Sequence, residues 1–201
     1  SPQQLQAIGY VDEQVGRIWD AIEYRRKNYN EDWLIIITTD HGRDAAKGKN
    51  HGGQSDRERT TWIYTNAKNL NSHFKDNPGI VDIVPSIAQF LNIHIPAENA
   101  KEMDGVSFIG EISATSPAAV IDGENINVSW KAVGHSGKAK IWFTETNNFK
   151  QGVEDKYKLA GEVPLTDGHF SFNIKNNPSP FYKIVIETPH NYLNRWIVVK
   201  K

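Results

Sequence analysis

The first regular pattern along the chain is a recurrence of apolar side chains at steps of three and four residues. Such positions share one face of a helix with 3.6 residues per turn, so the pattern predicts an amphipathic helix over residues 3–27. The apolar positions are Leu5, Ile8, Val11, Val15, Ile18 and Ile22. We expect this apolar stripe to pack against a sheet.

An unbroken apolar run follows the helix. Residues 33–39 include three consecutive isoleucines, Ile35 to Ile37, with no polar alternation. A short run of this kind predicts a strand buried on both faces, as in a parallel sheet between layers of helix. Residues 60–65 are rich in β-branched and aromatic side chains and predict a second strand beside the first.

Another helix is predicted after Asp82, whose side chain can cap its first turn. Pro85 falls within that turn, where proline is tolerated. The positions expected to face inward are Ile83, Ile87, Phe90 and Leu91. Residues 1–112 are therefore predicted to form an α/β portion, with a partial sheet and flanking helices.

The pattern changes near residue 112. Residues 113–117, Ser-Ala-Thr-Ser-Pro, predict a short polar linker. Short strands are predicted after it, over residues 125–132, 139–144, 158–163, 170–174, 182–187 and 195–199. Six or seven strands separated by turn signals such as Asp122-Gly123 predict an all-β sandwich over residues 118–201. An inward Trp130 on the second strand resembles the fibronectin type III or immunoglobulin-like pattern.

Composition limits the range of functions. The 201 residues are 38% hydrophobic and 23% charged, which is ordinary for a globular protein. The net charge of -1 predicts no nucleic-acid or membrane partner, and no apolar run has the length of a transmembrane segment. The absence of cysteine excludes disulfides and thiolate metal ligands. Acidic side chains outnumber basic ones up to residue 112 and basic ones prevail after it, which supports two modules.

The candidate chemistry lies directly after the first predicted strand. Asp40 and His41 are its first polar side chains, at the end of the strand where open α/β sheets bind ligands. His51 follows on the next loop, with two glycines that allow a tight backbone turn. Carboxylate oxygen and imidazole nitrogen suit zinc and similar divalent ions, so these three side chains are predicted metal ligands.

Other polar residues are weaker candidates. His73 and His94 have no partner motif, and we expect both to be surface histidines. Arg57 and Arg59 precede the second strand in a loop expected to be solvated, although either could face an anionic substrate.

Five segments together resemble the C-terminal metal-binding part of the catalytic domain in the alkaline phosphatase superfamily, especially its type I phosphodiesterase/nucleotide pyrophosphatase branch. They are Thr-Asp-His-Gly at residues 39–42, Gly-Lys-Asn-His-Gly-Gly at 48–53, and residues 59–64, 80–87 and 103–108. The resemblance covers about the first 110 residues.

The resemblance implies a phosphoester hydrolase that uses two divalent ions, with zinc the expected metal. Asp40 and His41 would hold one ion and His51 the other. The Ser or Thr nucleophile of such an enzyme lies upstream of the matched segments, so no catalytic residue is assigned in this chain. The implied partners are therefore a small-molecule or lipid phosphoester and an N-terminal part of the same protein, without which this chain is expected to be inactive.

Two alternatives remain open at this point. A sulfatase of the same superfamily would bind one calcium through carboxylates and an amide, whereas His51 followed by two glycines favours the two-zinc branch. A non-catalytic carbohydrate- or surface-binding module could instead use Trp142, Tyr192 or Trp196 as a sugar platform. The appended sandwich favours a periplasmic, outer-membrane-associated or secreted location.

Overall fold

The computed structural model describes residues 1–76 and 78–199, and the chain divides into two compact units, Ser1–Ile35 and Ile36–Lys201. The first unit is built on helix α1 (Pro2–Tyr29). The Ser1 hydroxyl accepts a hydrogen bond from the Gln4 amide at 3.2 Å, and Asn30 ends the helix in the left-handed conformation with φ 53°. The predicted helix is confirmed, with slightly wider bounds.

The apolar stripe of α1 is largely exposed. Leu5, Ile8 and Ile18 are 71%, 58% and 62% exposed, and Ile22 is the buried residue of this helix. Within the unit Ser1–Ile35 this stripe is not covered, and its packing against a sheet stays a prediction. A periodic pattern identifies the face that would gain from burial, but it does not supply the surface that covers it.

The second unit contains three short α-helices, four short 3₁₀ helices and nine strands among its described residues. The α-helices are α2 (Asp56–Arg59), α3 (Ile83–Phe90) and α4 (Ala97–Ala100). The strands are β1 (Ile36–Thr38), β2 (Ile63–Thr65), β3 (Ala114–Asp122), β4 (Asn125–Ala132), β5 (Lys138–Thr144), β6 (Lys158–Pro164), β7 (His169–Asn173), β8 (Phe181–Glu187) and β9 (Tyr192–Val198). Across the described residues of both units, no helix has the length and apolar character needed to cross a membrane.

Strands β1 and β2 lie side by side, as predicted, but they run antiparallel. Ile36 pairs with Thr65 and Thr38 pairs with Ile63. All three residues of β1 are only partly buried, whereas a parallel sheet needs helices covering both faces. The prediction of a fully buried parallel strand over residues 33–39 is therefore wrong in direction, length and burial.

Helix α3 confirms the predicted position but not the predicted inward face. Ile87 and Leu91 are 39% and 55% exposed, and the buried residues of α3 are Ser86 and Ala88. The buried Ser86 hydroxyl donates to the Asp82 carbonyl at 2.7 Å and accepts from the Phe108 amide at 2.9 Å. Ser86 thus connects α3 to Phe108, on the segment that follows α4.

The seven strands from β3 to β9 form two antiparallel sheets. One has the order β3-β4-β7 and the other the order β6-β5-β8-β9. Residues from both sheets share one apolar core, including Ile126 and Trp130 of β4 and Ile141 of β5. All six predicted strands are confirmed to within three residues at each end. Trp130 points inward as predicted, and its Nε1 donates to the Leu165 carbonyl at 2.8 Å.

The stretch predicted to be a linker forms the start of β3 instead. Ser113, Ala114 and Thr115 are buried, and β3 pairs with β4 from Ala114 onward. A register shift between Thr115 and Ala118 accommodates Pro117, which cannot donate a ladder hydrogen bond. Residues 113–117 are therefore no free linker, and the domain boundary near residue 112 stays a prediction.

A buried charge network joins the segment after α4 to the β strands. Lys183 of β8 is fully buried, and its ammonium is paired with Glu102 and, at 2.8 Å, with Asp155. The Tyr157 hydroxyl donates to the other Glu102 oxygen at 2.8 Å. Asn194 of β9 donates to the Lys101 carbonyl at 2.5 Å. These contacts fix residues 101–102 against strands β8 and β9.

This network predicts an acid-sensitive contribution to stability. Burial alone raises the pKa of Asp155, but hydrogen bonds from Lys183, Thr146 and the Asn148 amide outweigh it and lower that pKa from 3.8 to about 2. A depressed folded-state pKa stabilises the fold above the ordinary pKa, and this stabilisation is lost as the pH falls toward 2. We expect the urea midpoint to drop between pH 4 and pH 2.

Substitution of Asp155 by asparagine provides the comparison for this prediction. The Asp155→Asn variant should unfold at lower urea than the wild type at pH 7 and should show a smaller decline between pH 4 and pH 2. An equal decline in both proteins would mean that other carboxylates account for the acid sensitivity.

Candidate metal centre

The loop that follows β1 brings Asp40 and His41 together. The Asp40 carboxylate accepts a hydrogen bond from the His41 amide at 2.9 Å, and its second oxygen lies 3.4 Å from His41 Nε2. The Asp40 side chain is 85% exposed and the His41 side chain 31% exposed. Both donor groups therefore face a surface that an ion can reach.

Backbone contact fixes the tautomer of His41. Its Nδ1 lies 2.7 Å from the Gly42 carbonyl, which can only accept, so Nδ1 carries the proton. In the neutral ring this leaves a lone pair on Nε2, the atom that faces Asp40. A carbonyl that holds the far nitrogen of a histidine is the usual support for a metal-binding imidazole.

The distance between these two donor atoms suits a shared cation. Ligands about 2.1 Å from a tetrahedral zinc ion are about 3.4 Å apart, and the Asp40 oxygen and His41 Nε2 lie 3.4 Å apart. An unprotonated nitrogen and a carboxylate oxygen repel one another unless a proton or metal ion lies between them. The spacing of the pair is therefore compatible with one shared divalent ion, and equally with a proton on His41 Nε2.

His51 lies beside this pair but does not complete a three-ligand group. Its ring stacks on the ring of His41, with centroids 4.3 Å apart and planes 21° from parallel. Within residues 1–76 and 78–199, no three His, Asp or Glu side chains converge as a ligand set. The structure thus brings the three predicted ligands close together, with Asp40 beside His41 and His51 stacked on His41.

Asp44 shapes the loop that separates His41 from His51. Its carboxylate accepts hydrogen bonds from the amides of Lys47, Lys49 and Asn50 at 2.6 to 2.9 Å. These backbone hydrogen bonds, that from Lys47 foremost, lower the pKa of Asp44 to about 2. The charged carboxylate therefore turns the chain back so that His51 reaches His41.

Glu58 connects the same loop to α2. Its carboxylate accepts from the Gly53 amide at 3.0 Å and from the Ser55 hydroxyl at 2.5 Å, while the Ser55 hydroxyl caps the first turn of α2. Ser55 and Glu58 form the Ser-x-x-Glu spacing of a capping box, which is visible in the sequence. The roles of Glu58 and Asp44 were not predicted from the sequence.

Gly42 occupies a position where a side chain has no room. Its amide donates to the Glu58 carbonyl at 2.7 Å, and a Cβ at this position would lie 1.9 Å from the Arg57 carbonyl oxygen. Any side chain must therefore push the ligand loop away from α2.

We expect Gly42→Ala to destabilise the unit by about 1–3 kcal/mol, the usual cost of overpacking, and to weaken zinc binding because His41 moves with the loop. Urea unfolding and zinc calorimetry measure the two effects. Gly79→Ala is the control in the same unit, because a Cβ at Gly79 would make only an ordinary contact, 3.6 Å from Val81. An alanine at position 42 that changes neither quantity would contradict this account of the loop.

His73 was wrongly predicted to be a surface residue without a partner. Its Nε2 lies 3.0 Å from the carboxylate of Asp82, and its side chain is 15% exposed. Asp82 also accepts from the amides of Gly79 and Val106, at 2.7 and 2.6 Å, instead of capping α3 with its side chain. The carboxylate therefore organises the turns around α3, and its predicted capping role is wrong. His94 is exposed, as predicted.

Two of the aromatic residues considered as a sugar platform already have contacts of their own. Trp142 donates its indole N–H to Glu187 at 2.8 Å, and the Lys101 ammonium lies 4.2 Å from the centre of its ring. Trp196 is 49% exposed and packs edge-on against Phe181. One face of Trp142 is thus already covered by a cation, which reduces the surface that a sugar ring could stack on.

Comparisons with known proteins relate part of the chain to a phosphoester-handling enzyme. No protein-family profile matches the chain, and no solved structure matches it. Over 109 residues it is 28% identical to a 2,3-bisphosphoglycerate-independent phosphoglycerate mutase from Gracilaria tenuistipitata var. liui, a member of the alkaline phosphatase superfamily. The match covers 52% of this chain and 19% of the mutase, so the chain spans about a fifth of the length of this relative.

Proposed function

We propose that this chain carries part of the metal centre of a phosphoester hydrolase of the alkaline phosphatase superfamily, close to its type I phosphodiesterase/nucleotide pyrophosphatase branch. Asp40, His41 and His51 are its metal ligands. The mutase similarity supports phosphoester chemistry in this superfamily, and the branch rests on the sequence motifs. The two antiparallel sheets that follow are proposed to form an accessory β-sandwich of an enzyme that works outside the cytoplasm.

The observation that carries the proposal is the Asp40–His41 pair. A carboxylate oxygen and an imidazole nitrogen with a free lone pair face each other at 3.4 Å, and a backbone carbonyl fixes the imidazole. Bound divalent ions in such enzymes activate the nucleophile and stabilise the leaving oxygen. The nucleophile is proposed to lie on a part of the enzyme outside this chain, so the chain alone is expected to be inactive.

The donor atoms favour zinc over calcium. Calcium takes six to eight oxygen ligands, whereas two of the three proposed ligands here are histidines stacked 4.3 Å apart. Imidazole nitrogen suits zinc and related transition metals. This argues against the sulfatase alternative, whose calcium site consists of oxygen ligands.

Zinc calorimetry on the metal-stripped chain tests the proposal. We expect zinc to bind the wild type and to bind Asp40→Ala and His51→Ala about tenfold more weakly or not at all, because each variant removes a ligand. Asp56→Ala is the matched control, since Asp56 is a 97% exposed carboxylate on nearby α2 that pairs with Arg59 and lies outside the ligand set.

Three results would contradict the proposal. Absence of zinc binding by the wild type would remove the metal centre. Equal affinity in all variants would place the ion elsewhere. Calcium binding tighter than zinc binding would favour the sulfatase alternative.

A further inference from the structure

A cleft of about 570 Å³ lies between α3, the segment after α4, and the strands β5 and β8. None of the described residues that line it belongs to the ligand loop, residues 40–59. Its volume falls within the range typical of small-molecule sites. The cleft is therefore separate from the proposed metal centre and large enough for a ligand of its own.

One side of the cleft is apolar. Ala88 and Ala100, from α3 and α4, are buried, and Val106 is 6% exposed. Ile93, Ile95 and Met103 also line this side. Burial of a ligand's apolar body against this surface removes it from water, which is the main driving force for binding at such sites.

The β-strand side carries cations. Lys138 and Lys140 of β5 line it, and Glu187 is the one carboxylate among the described lining residues; His94 and His190 line the cleft as well. Both oxygens of Glu187 already accept hydrogen bonds, from Lys140 at 3.1 Å and from the Trp142 indole at 2.8 Å. Its hydrogen bond and charge raise the pKa of Lys140, so this lysine stays cationic.

The lysines remain available to an anion despite their partners. Lys138 is 69% exposed and pairs with Glu162, which does not line the cleft, and Lys140 is 41% exposed. Exposed ion pairs of this kind contribute little and exchange readily. Within residues 1–76 and 78–199, neither the His94 ring nor the Tyr192 hydroxyl makes a hydrogen bond or ion pair. The His94 ring and the Tyr192 hydroxyl are thus available to hydrogen-bond a ligand in the cleft.

We propose that this cleft binds an anionic amphiphile, in which a phosphate or carboxylate headgroup meets Lys138, Lys140 and Tyr192 and a short apolar chain lies along α3 and α4. Burial, followed by the charge of Glu187, raises the pKa of Tyr192, so its hydroxyl keeps the proton that it would donate to the headgroup. Charge complementarity on one side and apolar surface on the other select a ligand that has both parts.

Titration of the full chain with octyl phosphate below its micelle concentration tests the inference, by calorimetry and by amide chemical shifts. Inorganic phosphate and octyl glucoside test the headgroup and the apolar chain separately. We expect octyl phosphate to bind at least about tenfold more tightly than either, since each lacks one set of contacts. The shifted amides should belong to α3, residues 93–107 and strands β5 and β8.

A double substitution tests the cationic side. The double variant Lys138→Gln, Lys140→Gln should bind octyl phosphate about tenfold more weakly. The control variant Lys131→Gln, Lys175→Gln makes the same change in net charge outside the cleft. Its affinity for octyl phosphate should equal that of the wild type. The proposal would be overturned by an equal loss of octyl phosphate affinity in both double variants. It would also be overturned if inorganic phosphate bound as tightly as octyl phosphate, or if the amide shifts were confined to residues outside the cleft. The shift map of the wild type decides the matter even if the double variant fails to fold.

Discussion

Replacement of Lys183 by methionine is expected to destabilise the unit Ile36–Lys201 by about 3–5 kcal/mol. The Lys183 ammonium is fully buried between Glu102 and Asp155, whose side chains are 7% and 0% exposed. Methionine fills a similar volume but leaves both carboxylates without a counter-charge in a site that water does not reach. A buried ion pair contributes little stability compared with apolar residues in the same place. Removal of only one partner is nevertheless strongly destabilising, because it leaves the other charge buried and unpaired.

Urea unfolding at pH 7 measures this effect, and Lys138→Met is the matched control. Lys138 also pairs with a glutamate, Glu162, but it is 69% exposed. The control should therefore change the free energy of unfolding by only about 0–1 kcal/mol. Equal destabilisation by the two substitutions would contradict the burial of the Lys183 network.

Replacement of Trp130 by alanine is expected to cost about 3–5 kcal/mol, the usual range for a large aromatic residue in a core. Trp130 is 5% exposed and packs in the apolar core that both large sheets share. Its indole also donates to the Leu165 carbonyl at 2.8 Å. Trp130→Phe keeps much of the packing but leaves that carbonyl without its donor, so it should cost less than the alanine substitution.

Thermal and urea unfolding of both variants separate the packing from the hydrogen bond. Trp196→Ala is the control, because Trp196 is 49% exposed. If Trp130→Ala cost no more than this control, Trp130 would not be a core residue.

The strands of the large sheets could be predicted because their signals are local. Turns at Asp122-Gly123 and Asp167-Gly168 separate alternating segments, and both glycines have the positive φ values, 57° and 70°, that such turns need. Strand β3 was missed because serine and proline are typical of linkers. Pro117 is tolerated there because β3 is the edge strand of its sheet and has a register shift at that point.

Features that depend on distant partners were not predictable. The isoleucine run that contains β1 indicates a strand, but the direction of pairing depends on where β2 lies. Lys183 interrupts the apolar strand β8, yet nothing near it in the sequence identifies Glu102, 81 residues away, as its partner. Local motifs single out Asp40, His41 and His51, whose role as metal ligands stays a proposal. The hydrogen bonds by which Asp44 holds the loop between them depend on the folded backbone and were not predictable.

The most direct test of the proposed metal centre is an anomalous difference map at the zinc absorption edge, from crystals of the chain grown with zinc. We expect a peak within bonding distance of the Asp40 carboxylate and His41 Nε2, where the two donor atoms lie 3.4 Å apart. A map with no peak at this pair, or with peaks only at other side chains, would contradict it.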